Sequence, residues 1–397
     1  MNILDFLQHG LLDLSIWQLI ITLLIATQIT ILGVTLYLHR DQTHKGLDLH
    51  PVIRHFFRFH LWMTTGMLTK DWVAIHRKHH ATCETANDPH SPQHYGINKV
   101  LYSGVELYTK ERTKQDTLDK YGKGTPNDWL ENNIYTKFHF YGITLMFIID
   151  VLLFGVIGIT FWAIQIVWIP FFAAGVINGL GHWSGYRNYS TNDCSTNITR
   201  FGLIIGGEEL HNNHHAFPSS CKFSHRKGEY DWGWYAIKFL NKIGLAKIKR
   251  TVPELEETNS SGIDLETVKA MLTHKVNLLQ VYVKDVVKPA ISQEYANRTK
   301  QFKKSTDKFL NSMSIDWRFL DDDAKDLFKQ YINTSPTMET IIKYRDDLKE
   351  IWESKGKTTE QMIEAIKEWC QEAEKSGVEV LQNYAKKIQT YRLKQAK

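Results

Sequence analysis

Residues 140–182 read FYGITLMFIIDVLLFGVIGITFWAIQIVWIPFFAAGVINGLGH, and Asp150 is the one acidic residue among them. A continuous helix over this block would be about 64 Å long, enough for roughly two crossings of a ~30 Å hydrocarbon core. The block therefore predicts two membrane helices joined by a tight turn, which we place near Gly158–Trp162. Asp150 then lies inside a span, as a functional carboxylate or as a hydrogen-bonded structural one.

Two other stretches bear on the membrane prediction. Leu11–Leu38 is almost free of charge and is followed by His39-Arg40. This stretch is longer than one membrane span needs and shorter than two spans require. Pro51–Lys70 mixes aromatic side chains with Arg54 and Arg58. Because arginine is costly within hydrocarbon, this stretch predicts an amphipathic helix at the interface.

The hairpin also predicts the topology. It places segments 39–139 and 183–397 on one side of the membrane, and both are rich in Lys and Arg. The positive-inside tendency makes that side the cytoplasm. Beyond residue 250 the apolar runs are too short to span, while residues 348–385 show helical periodicity. We predict a membrane domain over 1–250 and a helical cytoplasmic region over 255–397.

Composition narrows the class of partners. The 397-residue chain has a net charge of +5, which suits a cytoplasmic face against anionic lipid, and we expect no nucleic-acid partner. Its four cysteines form no CxxC pair and no disulfide framework. We expect reduced thiols facing the cytoplasm.

The spacing of the histidines predicts the chemistry. Of eighteen histidines, eight fall in three clusters: HRDQTH at 39–44, HRKHH at 76–80 and HNNHH at 211–215. In each HxxHH cluster the offsets of three and four residues place the imidazoles on one helix face. In the first cluster the offset of five separates the side chains by about 140°, which favours a frayed helix end.

A fourth element follows the last apolar segment, where Asn178 and His182 are four residues apart and share a helix face. Nine imidazoles then converge in one layer near the membrane surface: His39, His44, His76, His79, His80, His182, His211, His214 and His215. One tetrahedral zinc takes four ligands, so nine predict two metals. Imidazole suits Zn, Cu, Fe and Ni alike, and both O2 activation and two-metal hydrolysis stay open.

The remaining histidines are interpreted as residues that do not bind a metal. Glu208-Glu209-Leu210-His211 contains one Glu-x-x-His spacing but lacks the partners that a soluble ferritin-like site needs. His90 and His94 are expected to position a loop. The others are expected at the surface: His9, His50, His55, His60, His139, His225 and His274.

The histidine series between apolar hairpins resembles the membrane fatty acid desaturase and hydroxylase superfamily. The resemblance is strongest to the acyl-CoA (stearoyl-CoA, delta-9) desaturase-like branch and its bacterial members. It is carried by four stretches between residue 37 and about residue 245: YLHRDQTHKGLDLHP, KDWVAIHRKHHATCETANDPHSPQ, NGLGHWSGYRN and GGEELHNNHHAFPSS.

The resemblance implies an all-α integral-membrane bundle of about four helices with a cytosolic histidine-rich cap. It further implies that the nine imidazoles bind two irons, that Asn178 reaches one iron through water, and that an apolar tunnel holds the substrate. The residues implied at the substrate entrance are Trp72, Trp183, Arg187 and Asn188. The N-terminal apolar region is shorter than the family pattern, so the first helical hairpin is expected to be compressed.

The activity implied is O2-dependent introduction of a cis double bond, at delta-9, into a saturated long-chain acyl group on CoA or phospholipid. Electrons come from a ferredoxin- or cytochrome-type donor with its reductase, because the chain shows no flavin or cytochrome motif. The enzyme is expected in the cytoplasmic membrane. Two alternatives stay open: a di-iron membrane hydroxylase that forms an alcohol, and a non-catalytic protein that binds or transports zinc or copper.

Overall fold

The computed structural model describes residues 2–259, 262–294, 306, 309–310, 312–313, 315, 319–320, 322–333, 335–354 and 356–394. Most of these residues are helical, and the strands are only two or three residues long. The chain divides into two compact units, residues 1–186 with 195–251 and residues 187–194 with 252–397. The predicted helical fold is confirmed, while the division into a membrane domain and a C-terminal region stays a prediction.

The first unit contains twelve named helices and four short strands. The helices are α1 (Ile3–His9), α2 (Ile16–Leu32), α3 (Pro51–Thr65), α4 (Thr69–Thr82), α5 (Pro92–Tyr95), α6 (Ile97–Arg112), α7 (Gln115–Tyr121), α8 (Tyr141–Phe154), α9 (Ile157–Ile169), α10 (Asn178–Leu180), α11 (His211–Ala216) and α12 (Trp232–Lys242). Three π-helical stretches cover Gly33–Thr43, Glu131–Tyr135 and Pro170–Ile177. Strand β1 (Leu47–Leu49) pairs antiparallel with β4 (Ala246–Ile248), and β2 (Phe201–Gly202) pairs in parallel with β3 (Tyr230–Asp231).

The first apolar helix begins at Ile16 rather than at Leu11. Ser15 caps it in a reciprocal capping box with Gln18, which satisfies backbone N–H groups that the first turn leaves without partners. From Gly33 the helix continues with π-helical bonding, so that one 28-residue helix runs over Ile16–Thr43.

The second apolar block folds as the predicted helical hairpin, but its turn lies at Gly155–Val156 and not near Gly158–Trp162. Gly155 adopts φ +70°, and a Cβ there would lie 2.6 Å from the backbone oxygen of Leu7. Only glycine fits that conformation and that space. Gly158 lies inside the second helix, where it lets the backbone of Asp150 approach closely.

In the part of the chain that the structure describes, two helices are long and apolar enough to cross a membrane, Ile16–Thr43 and Ile157–Leu180. The apolar helix Tyr141–Phe154 is shorter. Helices of this composition support a membrane protein. The number of four membrane helices stays a prediction.

The two arginines of helix α3 are neutralised by ion pairs with carboxylates outside the helix. Arg58 donates to both carboxylate oxygens of Asp128, at 2.6 and 2.9 Å, and to Glu131 at 2.9 Å. Arg54 donates two hydrogen bonds of 2.7 Å to Asp41. Because paired charges cost less to bury than isolated ones, these ion pairs lower the cost of placing both arginines in a helix rich in aromatic residues.

A buried ion pair links the first π-helix to a segment far along the chain. The guanidinium of Arg40 is fully buried and donates to both carboxylate oxygens of Asp231, at 3.0 and 3.3 Å. It also donates to the backbone oxygens of Gly206 and Cys221 and lies 3.8 Å from the ring centroid of Phe223. These contacts anchor both ends of the segment that carries the third histidine cluster.

The second unit is built on helices α13 (Leu265–Tyr282), α14 (Lys288–Glu294), α15 (Asp322–Asn333), α16 (Pro336–Glu353), α17 (Thr359–Lys375) and α18 (Glu379–Ile388), with a π-helical stretch over Val283–Val287. Strand β5 (Leu255–Glu257) pairs antiparallel with β6 (Tyr391–Leu393). The core contains Trp352, Trp369 and Tyr384. His274 is buried and its Nε2 donates to the Pro253 oxygen, so its expected surface position is wrong.

Replacing Asp231 by Asn tests the buried pair. The variant keeps the side-chain shape but leaves the Arg40 charge without a counter-charge, so we expect the free energy of unfolding to fall by about 3–5 kcal/mol. The measurement is denaturant-induced unfolding in detergent micelles. The control is Glu266→Ala, which removes an exposed pair with Lys269 and should change stability by less than about 1 kcal/mol. Equal stability of Asp231→Asn and the parent protein would contradict the assigned role.

Candidate metal centre

The first histidine group gathers five side chains from three parts of the chain. Its members, whose ligand atoms all lie within 4.8 Å of one another, are His39, His44, His76, His80 and His214. Four of their Nε2 atoms form a closed ring. The successive distances are 2.9 Å from His39 to His76, 3.1 Å to His80, 2.9 Å to His214 and 3.0 Å back to His39.

These spacings fit a metal ion with right-angled ligation. Nitrogens about 2.1 Å from a metal are about 3.0 Å apart at 90° and about 3.4 Å apart at the tetrahedral angle. The observed distances of 2.9–3.1 Å match the first case. A five- or six-coordinate ion therefore fits this group better than a tetrahedral zinc.

The first cluster reaches the group through a π-helix, so the predicted frayed helix end is wrong. The backbone N–H of His44 donates to the oxygen of His39, five residues earlier, at 3.1 Å. The Thr43 hydroxyl donates to the oxygen of Leu38 with the same offset. Because π-helical bonding stacks residue i+5 above residue i, it brings the two imidazole centroids to 4.9 Å.

The second group lies beside the first and consists of His79, His182, His211 and His215. Nε2 of His182 lies 3.2 Å from Nε2 of His79 and 2.9 Å from Nε2 of His211. The ring of His215 is centred 4.5 Å from that of His211 and 4.7 Å from that of His182. The sulfur of Cys83 lies beside this group, within 4.8 Å of ligand atoms of His79, His182 and His215, and its nearest printed contact with His182 is to Nδ1 at 4.0 Å.

Buried carboxylates determine which nitrogen of each ring faces the centre. Glu208 accepts from Nδ1 of His39 at 2.8 Å, Asp88 from Nδ1 of His79 at 3.0 Å, and Glu84 from Nδ1 of His182 at 2.9 Å. In a neutral ring that donates through Nδ1, Nε2 carries a lone pair and no proton. The carboxylates thus orient the rings as outer-shell partners of metal-binding histidines do.

This assignment has a direct electrostatic consequence. Because both Nδ1 atoms donate to carboxylates, the Nε2 atoms of His79 and His182 face each other across 3.2 Å. In its neutral form each ring then has a lone pair and no proton on Nε2. Two nitrogens held at this distance can ligate one cation, so these residues fit a metal.

The loop after α4 supplies two of these carboxylates. Glu84 has φ +61°, a left-handed conformation that is strained for a residue with a side chain. Its backbone N–H donates to Asp88 at 2.8 Å, and its carboxylate accepts from the hydroxyl of Ser91 as well as from His182. One short segment therefore orients His79 and His182 together.

Burial sets the protonation of the cluster. It lowers the pKa of His76, His80, His211 and His214 well below the ordinary value, with a further contribution from the neighbouring imidazoles. Burial alone would raise the pKa of Glu84, but attraction to His182 outweighs it and the net shift is downward. Neutral imidazoles beside ionised carboxylates are the protonation states that metal binding requires.

An apolar cavity of about 270 Å³ opens onto the histidines. Its wall includes His39, His76 and His211, together with Asn178 and Trp72. The apolar part of the wall includes Ile31, Val34, Ile75, Ile169, Ala173, Ile177 and Ile205. The indole of Trp72 stacks on the ring of His76 with centroids 4.9 Å apart, so one side chain both supports a histidine and shapes the cavity.

The sequence comparisons agree with this geometry. The family model for fatty acid desaturases matches residues 14–227, more than half of the chain. The chain belongs to the fatty acid desaturase family. It is therefore an oxidoreductase.

Characterised relatives of this desaturase carry related names. The chain is 30% identical to delta-9 acyl-lipid desaturase 1 of Arabidopsis thaliana, over 58% of its own length and 74% of that protein. It is 29% identical to acyl-CoA 5-desaturase AL21 of Anemone leveillei, over 58% of its own length and 71% of that protein. These names confirm the predicted desaturase superfamily, and membership of a bacterial branch stays a prediction.

The structure brings all nine predicted histidines of the desaturase into the two groups. Asn178 and Trp72 line the cavity, whereas Trp183 is 49% exposed and lies outside the set of described residues that form its wall. Arg187 and Asn188 belong to the second unit, where Arg187 donates to Thr191 and Asp193. The roles of the nine histidines as ligands and of these residues as substrate contacts stay predictions.

Several residues near the histidines could not be identified from the spacing of residues in the sequence. Cys83, Glu84, Asp88 and Glu208 approach the histidines through a loop and a turn, where no helical period reveals a shared face. His90 is buried with its ring 4.3 Å from that of His79. The DPH sequence at 88–90 was a sign of a special loop, but it did not identify the partner of Asp88.

Asp88→Asn tests the role of the carboxylates in the desaturase. The amide keeps the shape but accepts a weaker hydrogen bond from His79, so we expect metal affinity to fall by about 10- to 100-fold. Competition with a chelator on purified protein measures this change. Glu106→Gln, which alters an exposed carboxylate paired with Lys99, serves as the control. Unchanged affinity in Asp88→Asn would rule out the orienting role.

Proposed function

We propose that this desaturase introduces a cis double bond into a saturated long-chain fatty acyl group in an O2-dependent reaction at two iron ions. The observation that carries the proposal is the pair of facing imidazole groups, in which Nε2 atoms lie 2.9–3.2 Å apart beside an apolar cavity. Imidazole ligands suit iron among other transition metals, and the family match supports iron and the oxidation of acyl chains.

The ligand assignment follows the two groups. One iron would be held by His39, His44, His76, His80 and His214, and the other by His79, His182, His211 and His215. Asn178 would reach one iron through a water molecule. When bound, the iron pair supplies the O2-dependent oxidising power that the cleavage of unactivated C–H bonds requires.

The residues of the chain provide binding and positioning. The apolar walls of the cavity would bind the acyl chain and exclude water from the reacting methylenes. Trp72, fixed by its stacking on His76, would hold the chain beside the histidines. We infer a double bond at delta-9 and an acyl carrier that is CoA or a lipid, supported by relatives named delta-9 acyl-lipid and acyl-CoA desaturases.

The electron balance requires an external partner. Removing two hydrogens from adjacent methylenes supplies two of the four electrons that reduce O2 to two molecules of water. The other two come from a donor, which we propose to be a ferredoxin- or cytochrome-type protein with its reductase. We place the enzyme in the cytoplasmic membrane with its histidine groups and C-terminus on the cytoplasmic side, as the distribution of Lys and Arg supports.

We propose residues 1–250 as the desaturase domain and 255–397 as a separate helical region that contacts a partner or another copy of the chain. The family match over residues 14–227 supports the first assignment. The charged composition of the C-terminal region supports the second.

Histidine substitution tests the proposed function. His79→Ala and His214→Ala each remove one nitrogen from a different group, so we expect loss of unsaturated product while the protein remains in the membrane fraction. The assay is expression in a host that lacks the activity, with mass-spectrometric location of the double bond. His94→Ala, an exposed histidine, is the control and should keep full activity. Retained product in both cluster variants would refute the ligand assignment.

Val34→Phe tests the substrate cavity. Val34 is buried in the cavity wall, and the larger ring reduces the space for an acyl chain. We expect turnover of longer chains to fall relative to shorter chains by about tenfold, roughly the effect of losing 1.4 kcal/mol of binding. The ratio of turnover of the longer to the shorter chain is measured by letting two labelled acyl substrates of different length compete for the enzyme. Val167→Phe, on an exposed helix face, should leave the ratio unchanged, and an unchanged ratio in Val34→Phe would exclude this cavity as the acyl site.

A further inference from the structure

One polar group in the wall of the apolar cavity has no partner. Tyr108 lies on α6 and belongs to this wall. Its hydroxyl oxygen is shielded from solvent, and among the described residues no atom forms a hydrogen bond with it. Because an unpaired buried hydroxyl costs free energy, its place in the wall of a binding cavity points to an acceptor that the ligand supplies.

Helix α6 is fixed on both sides of this tyrosine. Four residues before it, a Cβ on Gly104 would lie 2.4 Å from the backbone oxygen of Ala174, so the two backbones pack directly against each other. Four residues after it, Arg112 forms an ion pair of 3.1 Å with Asp71. The offset of four places Gly104, Tyr108 and Arg112 on one face of α6, and all three belong to the cavity wall.

The hydroxyl lies toward the charged end of the cavity. Burial raises the pKa of Tyr108 well above its ordinary value, the charge of Asp71 adds to this effect, and the charge of Arg112 opposes it. The charges that act on the hydroxyl are thus those of the Asp71–Arg112 pair. Solvent reaches this end of the wall, since the side chain of Arg112 is 23% exposed and Phe140 is 63% exposed.

The charged end lies at a useful distance from the histidines. Asp71, His76 and His80 all lie on α4, and offsets of five and nine residues place the two histidines about 8–14 Å from Asp71 along the helix axis. An extended acyl chain covers a comparable distance between its carbonyl and its ninth carbon. A chain whose carbonyl lies at this end would therefore present the inferred delta-9 methylenes to the histidines.

An acyl group supplies the acceptor that the hydroxyl lacks. Its hydrocarbon part matches the apolar wall, and the carbonyl oxygen of an ester or thioester accepts hydrogen bonds without donating any. We propose that the hydroxyl of Tyr108 donates a hydrogen bond to the carbonyl oxygen of the bound acyl group. The contact rests on the proposed function, because it assumes that the cavity holds an acyl chain. Tyr108 is then a positioning residue that fixes how far along the chain the histidines act.

The experiment measures binding to the purified full-length protein in detergent. The probes are two matched pairs: a long-chain acyl-CoA thioester with its thioether, and a long-chain phosphatidylcholine with its dialkyl ether. In each ether a methylene replaces the carbonyl, and the pair that binds identifies the acyl carrier. Displacement of a labelled acyl chain gives the dissociation constants. Their ratio within a pair does not depend on the fraction of folded protein, so a variant that folds less well still gives a result.

The parent protein should bind the carbonyl compound about tenfold more tightly than the ether, because the ether leaves the hydroxyl unpaired. Tyr108→Phe removes the donor, so the ratio of the two dissociation constants should fall toward one. Tyr102→Phe is the matched control. It makes the same chemical change on the same helix, where the ring is 75% exposed, and should keep the ratio of the parent protein.

Equal binding of the carbonyl compound and the ether by the parent protein would overturn the assignment of Tyr108. A preference for the carbonyl compound that persists in Tyr108→Phe would do the same, as would failure of the parent protein to bind either pair. The formation of unsaturated product in cells is measured separately. If the parent protein forms that product, these results leave the proposed function standing, and absence of the product would overturn both.

Discussion

The structure depends on the close approach of buried imidazoles whose ring nitrogens face one another. Nδ1 of His79 and of His182 each donate to a carboxylate, and their Nε2 atoms lie 3.2 Å apart. Buried polar atoms need partners, and nitrogens placed in this way can share a cation. The surrounding fold has to hold these rings in position, and many of its unusual features serve that purpose.

Three of these features act on the backbone. The π-helix over Gly33–Thr43 superimposes residues five apart, the left-handed Glu84 turns the loop back onto His182, and the Arg40–Asp231 pair fixes the segment that carries the third cluster. Each has a local energetic cost, as irregular helices, strained φ angles and buried charges do. Their concentration around one site agrees with the tendency of strained or irregular backbone to occur where function needs it.

The cavity and the histidines share side chains rather than merely lying close together. His39, His76 and His211 belong both to the metal groups and to the cavity wall, and Trp72 stacks on one of them. A chain bound in the cavity would lie against the histidines themselves, so under the proposed ligand assignment the same rings would define where a substrate carbon can approach. Such coupling would let the enzyme direct its chemistry to particular methylenes with few polar contacts.

The sequence by itself determined the helical membrane character, the convergence of three histidine clusters and the family. These follow from apolar length and from helical offsets of three and four, which are local properties of the chain. Only the tertiary structure decided the hairpin turn at Gly155, the π-helical alignment of His39 with His44, and the division of nine imidazoles into two groups. It also decided which carboxylates orient the rings. The physical reason is that such contacts arise from loops and long-range packing, where no period in the sequence records which groups meet.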